Sequence, residues 1–360
     1  MQVIEYLKSY GLDKLKEEYA IKTTEHKYLP LLTFNYCQIN SPRFHPITRE
    51  CRGLILEKDT WKVIGRSFER FFNYGESKQE DEKLHWNNCN YYEKHDGSLM
   101  TMFWYKGEWM IATKGSFADG NPSNLVDKSW KQLFFENTNI PTPYLCPQYS
   151  YVFEFCSKYN KVVRLYEKPQ VYLLAAKAND AKDEYYDDEL MSLSNITGTP
   201  VPEKYEFESP THAMKFLEDK DGSFEGFVIK DHKFDRIKLK NKKYVSLHQL
   251  KNSTGITKNN LIKFALAKNG EEYELLTYFP EYKDEYYALK DKINLYEENL
   301  RSIWKDVCDI ENQKEFALAI KNHTNDIAGK LSPFLFMAKR QQVHPIIVWD
   351  ERKESFLEKS

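Results

Sequence analysis

A lysine in the stretch YYEKHDGSLM (residues 91–100) is the first residue of the chain whose surroundings suggest covalent chemistry. Lys94 follows a strand-like pair of tyrosines and precedes an Asp-Gly turn, so we expect it at a rigid strand end. A lysine amine attacks an electrophile only after it has lost a proton, which requires desolvation or nearby positive charge. Gly97 would let a phosphate or a sugar approach the backbone closely. By itself the K-x-D-G-S pattern also fits a solvated lysine before an ordinary turn.

Two glutamates in β-like surroundings accompany this lysine. Glu154 lies between two phenylalanines in YVFEFC (residues 151–156), where a carboxylate is costly unless it is hydrogen-bonded or binds a metal. Glu225 and Gly226 open the run EGFVIKD (residues 225–231). The sequence therefore places two carboxylates where they could serve a polar site.

Basic residues complete the set. Lys238 and Lys240 alternate within RIKLK, so in a strand they point to the same face, where they could clamp a phosphate and disfavour the protonated form of a neighbouring lysine. Arg52 lies in ECRG, and Lys114 lies in TKGS. This set of cations predicts a ligand that carries phosphate.

The elements that must position these residues are β-like in the first part of the chain. A tight hairpin at Lys106-Gly107 joins two of the predicted strands, and helices are expected near the N-terminus, within 122–137 and near 210–218. The β-like runs are 31–39, 52–57, 62–68, 98–105, 108–115, 151–156, 171–177, 225–231 and 236–240.

Helical periodicity replaces the β-like runs after about residue 250, and Pro333 should kink or divide the helix expected over 325–340. We predict an α+β domain over residues 1–248 and an all-helical domain over 249–360. The chain shows no internal repeat.

Composition places this 360-residue chain among ordinary proteins without a membrane span. Its formal charge is −2, but the charges are unevenly distributed along the chain. The segment from Lys230 to Lys251 contains eight basic residues and only two acidic ones, Asp231 and Asp235, whereas the stretch from Asp180 to Glu189 is acidic. The six cysteines show no CxxC pair, and the nine histidines form no metal-spaced group. With no apolar leader or spanning run, a reduced cytoplasmic compartment is expected.

Taken in order, the motifs ECRG, K-x-D-G-S, FEF, EGFVIK and K-L-K resemble the nucleotidyltransferase motifs of covalent polynucleotide ligases and capping enzymes. The chain is most similar to the phage-type RNA ligase 1 family, which also has a KGS element after DGSL and a YVSLH-like segment, here at residues 244–248. The resemblance covers about residues 30–250.

The resemblance implies a nucleotidyltransferase domain of the ATP-grasp-like ligase type, built on antiparallel sheets, that uses ATP with Mg²⁺ or Mn²⁺. Lys94 would attack the α-phosphorus of ATP, the AMP would pass to an RNA 5′-phosphate, and a 3′-hydroxyl would displace it to seal the strand. By their positions in these motifs, Arg52 and Arg70 would contact the phosphates, and Phe72 would pack against the nucleotide. Glu154 would hold the ribose, and Glu225 with Gly226 would bind the catalytic metal and the nucleotide. Phosphate charge would be stabilised by Lys114, Lys238 and Lys240.

Two positions depart from the family pattern. Arg70 stands where the family usually has lysine, which keeps the charge but alters the contact. His95 stands where an acidic residue is common, and that position is expected to face away from the nucleotide, so His95 is given no role.

Other interpretations stay open from the residues alone. Arg52, Glu154 and Glu225 could be structural ion-pair partners, Lys114 could be a turn residue, and Phe72 could be a core aromatic. A DNA ligase or capping enzyme usually continues into a small β-barrel, which the helical pattern disfavours. A non-catalytic RNA-binding protein would be expected to lack Lys94, Glu225 or the Lys238/Lys240 pair. Transfer of AMP to another acceptor is a further alternative. The expected partner is RNA, with a nicked tRNA suggested by the helical tail, and a phage- or virus-encoded monomer is the expected context.

Overall fold

A computed structural model of the chain describes residues 1–122, 126–181, 183–250, 258–267, 272–323 and 326–359. The chain divides into two compact units, Met1–Ser253 and Thr254–Ser360. Strands and helices mix in the first unit, whereas the described residues of the second unit contain helices and no strand. The predicted fold class, antiparallel sheets followed by a helical region, is confirmed.

Three four-stranded sheets form the first unit, and their strands pair antiparallel throughout the described residues. The first sheet has the order β1-β2-β3-β4, the second β10-β5-β11-β12, and the third β7-β6-β8-β9. The strands are β1 Ile21–Glu25, β2 Leu31–Tyr36, β3 Leu54–Glu57, β4 Val63–Gly65, β5 Cys89–Glu93, β6 Ser98–Tyr105, β7 Glu108–Thr113, β8 Tyr149–Cys156, β9 Gln170–Ala178, β10 Lys204–Tyr205, β11 Gly226–Asp231 and β12 Arg236–Lys240.

Helices cover the outer faces of these sheets. The N-terminal helix buries Val3, Leu7 and Leu15 against the first sheet, and Gly11, at φ 80°, divides it into two parts. The helices of the first unit are α1 Gln2–Tyr19, α2 Pro46–Glu50, α3 Lys78–Asp81, α4 Trp130–Glu136, α5 Asp187–Thr197, α6 Pro210–Glu218 and α7 Lys242–Leu250.

The second and third sheets meet at the segment that joins β5 to β6. Strand β6 buries Met100 and Met102 in a core shared with α4 and α5, because alternate strand residues face the same side. Strand β11 buries Phe227 and Ile229 under α6. Lys94 lies in the link between these two cores, so the packing of both sheets fixes its position.

The second unit is built from helices around an aromatic and aliphatic core that includes Trp349 and Leu335, both fully buried. Helix α12 runs through Pro333, so the expectation that this proline divides the helix is wrong. Packing of the helix against this core can offset the hydrogen bond that proline cannot make. Among the described helices none is long and apolar enough to cross a bilayer. The helices are α8 Lys258–Ala267, α9 Glu272–Tyr278, α10 Lys283–Val307, α11 Gln313–Asn322, α12 Asp326–Gln341 and α13 Pro345–Lys359.

A buried ion cluster ties the third sheet to the second. Oε2 of Glu184 lies 2.9 Å from Nζ of Lys177 on β9, and its other oxygen accepts a hydrogen bond from Arg236 on β12. Burial alone would raise the pKa of Glu184, but the charges of Arg236 and Lys177 outweigh it and lower the pKa to about 2. The ionised carboxylate is therefore part of the folded structure at neutral pH.

Replacement of Glu184 with Gln is expected to lower the free energy of unfolding at pH 7 by about 3–5 kcal/mol, because two buried cations lose their counter-charge. The wild-type contribution is fully present above the ordinary carboxyl pKa of about 4.5 and is lost as the pH falls from there toward 2. Calorimetric Tm values between pH 7 and pH 3 should therefore converge for the two proteins. The exposed Glu206→Gln serves as the control, and an unchanged Tm in Glu184→Gln at pH 7 contradicts the assignment.

Candidate active site

Lys94 is held at its backbone and at its side chain by the start of β11. Its amide donates a 2.8 Å hydrogen bond to the carbonyl of Gly226, and its Nζ lies 2.6 Å from Oε1 of Glu225. Glu225 is 4% exposed and also lies 3.4 Å from Nζ of Lys240 at the end of β12. One carboxylate thus positions two of the predicted catalytic lysines, although the chain separates them widely.

Two glycines allow this close backbone packing. Gly226 has φ +136°, and a Cβ there would lie 2.2 Å from the carbonyl oxygen of Leu239, so a side chain would separate β11 from β12. A Cβ at Gly97 would lie 2.6 Å from the carbonyl oxygen of Phe155. The expectation that Gly97 admits a phosphate or a sugar is wrong, since the space is filled by strand β8.

Asp96 fixes the other side of the lysine loop. Its carboxylate is 4% exposed, and Oδ1 accepts a 3.0 Å hydrogen bond from the hydroxyl of Tyr244 on α7. The predicted Asp-Gly turn is therefore anchored by a long-range contact as well as by its local shape. This contact also joins the YVSLH segment to the lysine loop.

A cavity of about 550 Å³ opens beside Lys94, within the range of small-molecule sites. Its polar end includes Arg52, Lys94 and Glu154. Its apolar walls include Phe68, Phe71, Leu99, Leu174, Val201 and Val228. A planar apolar group could pack between these walls while a charged group reaches the lysine.

Glu154 is the most perturbed carboxylate at this end. It is half-buried on β8, opposite Leu99 of β6. Burial raises the pKa of Glu154 to about 7, with the charge of Lys94 opposing that rise and the charge of Glu225 adding to it. A carboxylate that is costly to ionise within the protein's own surroundings points to a partner that arrives with the ligand.

Replacement of Glu154 with Gln is expected to stabilise the ligand-free protein by about 1–2 kcal/mol at pH 8. The folded carboxyl takes up a proton that the unfolded chain lacks between about pH 4.5 and 7, so the free energy of unfolding falls as the pH rises through that window. The gain should vanish at pH 4, where the carboxyl is protonated in both states. Chemical denaturation at the two pH values, with the exposed Glu208→Gln as control, measures the difference; equal stability at pH 8 contradicts it.

A second group of cations surrounds Tyr36 at the end of β2. Burial alone would raise the pKa of this phenol, but the charges of Arg52, Lys114 and Arg70 outweigh it, so the pKa of Tyr36 is lowered. Burial lowers the pKa of Lys114 and of Arg70. Nη1 of Arg70 is buried and finds no hydrogen-bond partner in the described part of the chain. This cluster has an excess of positive charge and could hold an anion.

Phe72 is placed differently from what the motifs suggested. Phe72 is 1% exposed, does not belong to the described lining of the cavity, and packs against Phe44 with the guanidinium groups of Arg43, Arg49 and Arg70 around its ring. The backbone amide of Lys238 donates to the carbonyl of Phe72, and Nζ of Lys238 lies 5.3 Å from the centre of the Phe71 ring. Phe71, unlike Phe72, lines the cavity, as Phe68 does.

His95 lines the cavity, so the expectation that it faces away is wrong. Its ring stacks on Tyr172 with a centroid distance of 3.5 Å, and it is 6% exposed. Burial lowers the pKa of His95 to about 3, helped by the charges of Arg164 and Lys94. At neutral pH the imidazole is therefore uncharged beside the lysine.

Sequence reasoning missed Phe71, Leu174 and Tyr36. Phe72 was the ring expected to pack on the nucleotide, and the sequence alone does not show which of two adjacent rings faces inward. The apolar run around Leu174 carries no polar signal. Tyr36 was one tyrosine among 25. Only the lysine and arginine charges around it distinguish it.

The described residues contain no group of three or more His, Cys, Asp and Glu side chains that could hold a metal by themselves. Mg²⁺ is commonly bound by one or two carboxylates together with substrate phosphates and waters. Glu154 and Glu225 fit that smaller requirement, because Glu154 is desolvated without full compensation and Glu225 lies beside Lys94. These two carboxylates are the residues that could hold a divalent ion that enters with a phosphate ligand.

Known proteins match the part of the chain that carries these site residues. A family model described as RNA ligase matches residues 50–244, more than half of the chain. A protein of Autographa californica nuclear polyhedrosis virus, named for a bifunctional polynucleotide kinase/RNA ligase activity, is 32% identical over 307 residues, 79% of this chain and 42% of that protein. The chain thus spans about two fifths of the length of this relative.

An RNA ligase of Rhodothermus phage RM378 is 25% identical over 348 residues, covering 76% of this chain and 78% of that protein. Among solved structures, an archaeal ATP-dependent RNA ligase is 14% identical, covers 89% of both chains and superposes with a TM-score of 0.48. The family match includes Lys94, Glu154, Glu225 and the Lys238–Lys240 pair. The chain therefore belongs to the RNA ligase family.

Proposed function

We propose that this chain is an ATP-dependent RNA ligase that works through a lysyl-AMP intermediate at Lys94. The single observation that carries the proposal is the lysine itself: its Nζ, 2.6 Å from Glu225, lies at the polar end of a cavity with apolar walls. The apolar walls suit a purine, and the polar end suits its phosphates. The archaeal structural neighbour is named as ATP-dependent, which makes ATP the first nucleotide to test.

The reaction would proceed in three steps. Lys94 Nζ, after losing a proton, forms a P–N bond to the α-phosphorus of ATP as the bond to pyrophosphate breaks. An oxygen of the RNA 5′-phosphate then attacks the same phosphorus, which breaks the P–N bond and returns the lysine. Finally an RNA 3′-hydroxyl attacks the 5′-phosphate, forms the phosphodiester and releases AMP. In each step, fixed cations of the protein would stabilise the negative charge on the reacting phosphate.

The cations of the site would contact the phosphates in this scheme. Arg52 lies at the cavity, and Lys114 and Arg70 lie with it around Tyr36, where a polyphosphate would supply the negative charge that this cluster lacks. Lys240 would stabilise charge near Lys94, with Lys238 beside Phe71. Mg²⁺ or Mn²⁺, held by Glu225 and Glu154 with the phosphates, would supply further neutralisation of phosphate charge.

We extend the proposal to the RNA substrate and to the second unit. We infer that residues 1–248 carry the adenylyl chemistry and that the helical region over 249–360 contacts RNA, with a nicked tRNA as the physiological candidate. A cytoplasmic monomer encoded by a phage or virus would fit viral and phage relatives. Ligation assays with nicked tRNA and with unstructured RNA test the substrate, and sedimentation tests the monomer.

Incubation with α-labelled ATP or GTP and Mg²⁺, followed by denaturing gel electrophoresis, tests the central proposal. ATP is expected to leave a covalent label that hydroxylamine or acid removes and alkali does not, as a phosphoramidate requires. Label from GTP alone would indicate capping chemistry. An absence of label from both nucleotides would overturn the proposal and favour a binding protein of the same fold.

A further inference from the structure

The segment between β8 and β9, residues 157–169, lies across the loop that carries Lys94, and we refer to it as the strap. Its backbone is fixed from below by Asp96, whose Oδ2 accepts 2.7 Å hydrogen bonds from the amides of both Val163 and Arg164. Asp96 is two positions beyond Lys94. The middle of the strap is therefore held against the lysine loop by a buried carboxylate.

Two side chains extend this attachment on either side of the lysine. Nη1 of Arg164 lies 2.9 Å from Oε1 of Glu93, the residue before Lys94. Nδ2 of Asn160 donates a 2.9 Å hydrogen bond to Oγ of Ser98, and Asn160 in turn accepts one from Ser157. The inner side of the strap thus contacts residues just before and just after the nucleophile.

The outer side of the strap is basic and apolar. Lys158, Lys161 and Lys168 are exposed, and none has a carboxylate partner within the ranges that the structure describes. Leu165 is 60% exposed and Val162 is 46% exposed, although neither covers a described core. The only acidic residue of the strap is Glu167. Cations interleaved with exposed apolar side chains suit a nucleic acid strand, whose phosphates and bases alternate.

The acidic residues at the start of α5 lie among cations, unlike the lysines of the strap. Asp187 and Asp188 line the cavity, which Lys204 and Lys230 also line, and Nζ of Lys204 lies 3.6 Å from Asp187. Asp187 is bonded to Lys230 and Tyr92, but Asp188 is exposed. The strap lysines have no carboxylate partner in the described residues, so their charge attracts a polyanion that approaches Lys94.

We propose that the strap binds the phosphodiester backbone of the RNA strand whose end reacts at Lys94. Lys158, Lys161 and Lys168 contact successive phosphates, and Val162 and Leu165 pack against sugars or bases. The inference rests on the proposed function for the identity of the polyanion. It adds a binding surface in the first unit that is separate from the nucleotide cavity and from the helical region.

The test compares wild type with the triple variant Lys158→Gln, Lys161→Gln, Lys168→Gln. Binding of a fluorescent, 5′-phosphorylated single-stranded RNA is measured by anisotropy at several salt concentrations, and covalent labelling by ATP is measured in parallel. Loss of three phosphate contacts is expected to weaken RNA binding about 10-fold at low salt and to reduce the slope of log K against log salt by about 2. Labelling by ATP should not change.

A matched triple variant, Lys8→Gln, Lys62→Gln, Lys78→Gln, removes three exposed lysines elsewhere in the first unit and controls for net charge. Equal RNA binding by the strap variant and this control would overturn the inference, as would a loss of labelling in the strap variant that equals its loss of RNA binding. If wild type takes no label from ATP, the proposed reaction fails, yet the anisotropy comparison still decides whether the strap binds RNA.

Discussion

Lys94→Ala is expected to eliminate covalent labelling of the protein by ATP, with a loss of at least about 10⁴-fold in the rate of label incorporation. The reason is chemical: the variant has no amine to form the P–N bond, and Lys240, the other lysine on Glu225, is held by that carboxylate at 3.4 Å. The readout is label retained on a denaturing gel over a time course. Ligation of RNA with a free 5′-phosphate should be lost to the same extent.

Lys94→Arg is the matched control for charge. Arginine preserves a cation beside Glu225 but stays protonated and is not a nucleophile, so labelling should also be absent while the Tm stays closer to wild type than that of Lys94→Ala. A pre-adenylylated RNA, which bypasses the first step, should still be sealed at a reduced rate by both variants. Persistent labelling of Lys94→Ala would assign the nucleophile to another residue.

Glu225→Gln is expected to reduce labelling by about 10²- to 10³-fold, a typical cost for removing one preorganised electrostatic group. The carboxylate is 4% exposed, lies 2.6 Å from Lys94 and lies 3.4 Å from Lys240, so its replacement leaves two neighbouring ammonium groups without their shared anion. Both lysines should reorient. The initial rate of labelling as a function of ATP and Mg²⁺ concentration is the measurement.

Glu225→Asp distinguishes the effect of the charge from the effect of its position. It keeps the carboxylate, but the shorter side chain places it farther from the two lysines. We expect it to label faster than Glu225→Gln and more slowly than wild type. Glu218→Gln, an exposed glutamate of α6, controls for the general loss of a carboxylate. If Glu225→Gln labels like wild type, then Glu225 is only a structural ion-pair partner, the alternative that the sequence left open.

The motifs predicted which residues could take part because each residue type carries its own chemistry wherever it lies. A lysine before an Asp-Gly turn, a glutamate within an apolar strand and an alternating lysine pair are readable from neighbours in the chain. The strands that carry them were also predictable, since β6, β8, β11 and β12 each follow local periodicity. Strand β1 and helix α5 were missed, because their sequences are polar and their placement depends on packing.

Side-chain direction was less predictable than residue identity. His95 lines the cavity and its ring stacks on Tyr172 of β9, a residue that no local pattern connects to it. Gly97 lacks a side chain that would collide with the backbone of β8. Phe72 is enclosed by three arginines, while its neighbour Phe71 lines the cavity. In each case the partner lies far away along the chain, so its contact belongs to the tertiary structure.

The sequence by itself determined the family and the division into sheets followed by helices, and it predicted Lys94 as the nucleophile, because these depend on residue type, motif order and local periodicity. Only the tertiary structure decided that Glu225 lies between Lys94 and Lys240, that Glu154 is desolvated, and that the strap crosses the lysine loop. Distances and burial arise from the pairing of strands remote in the chain. The order of motifs along a sequence contains no such distances.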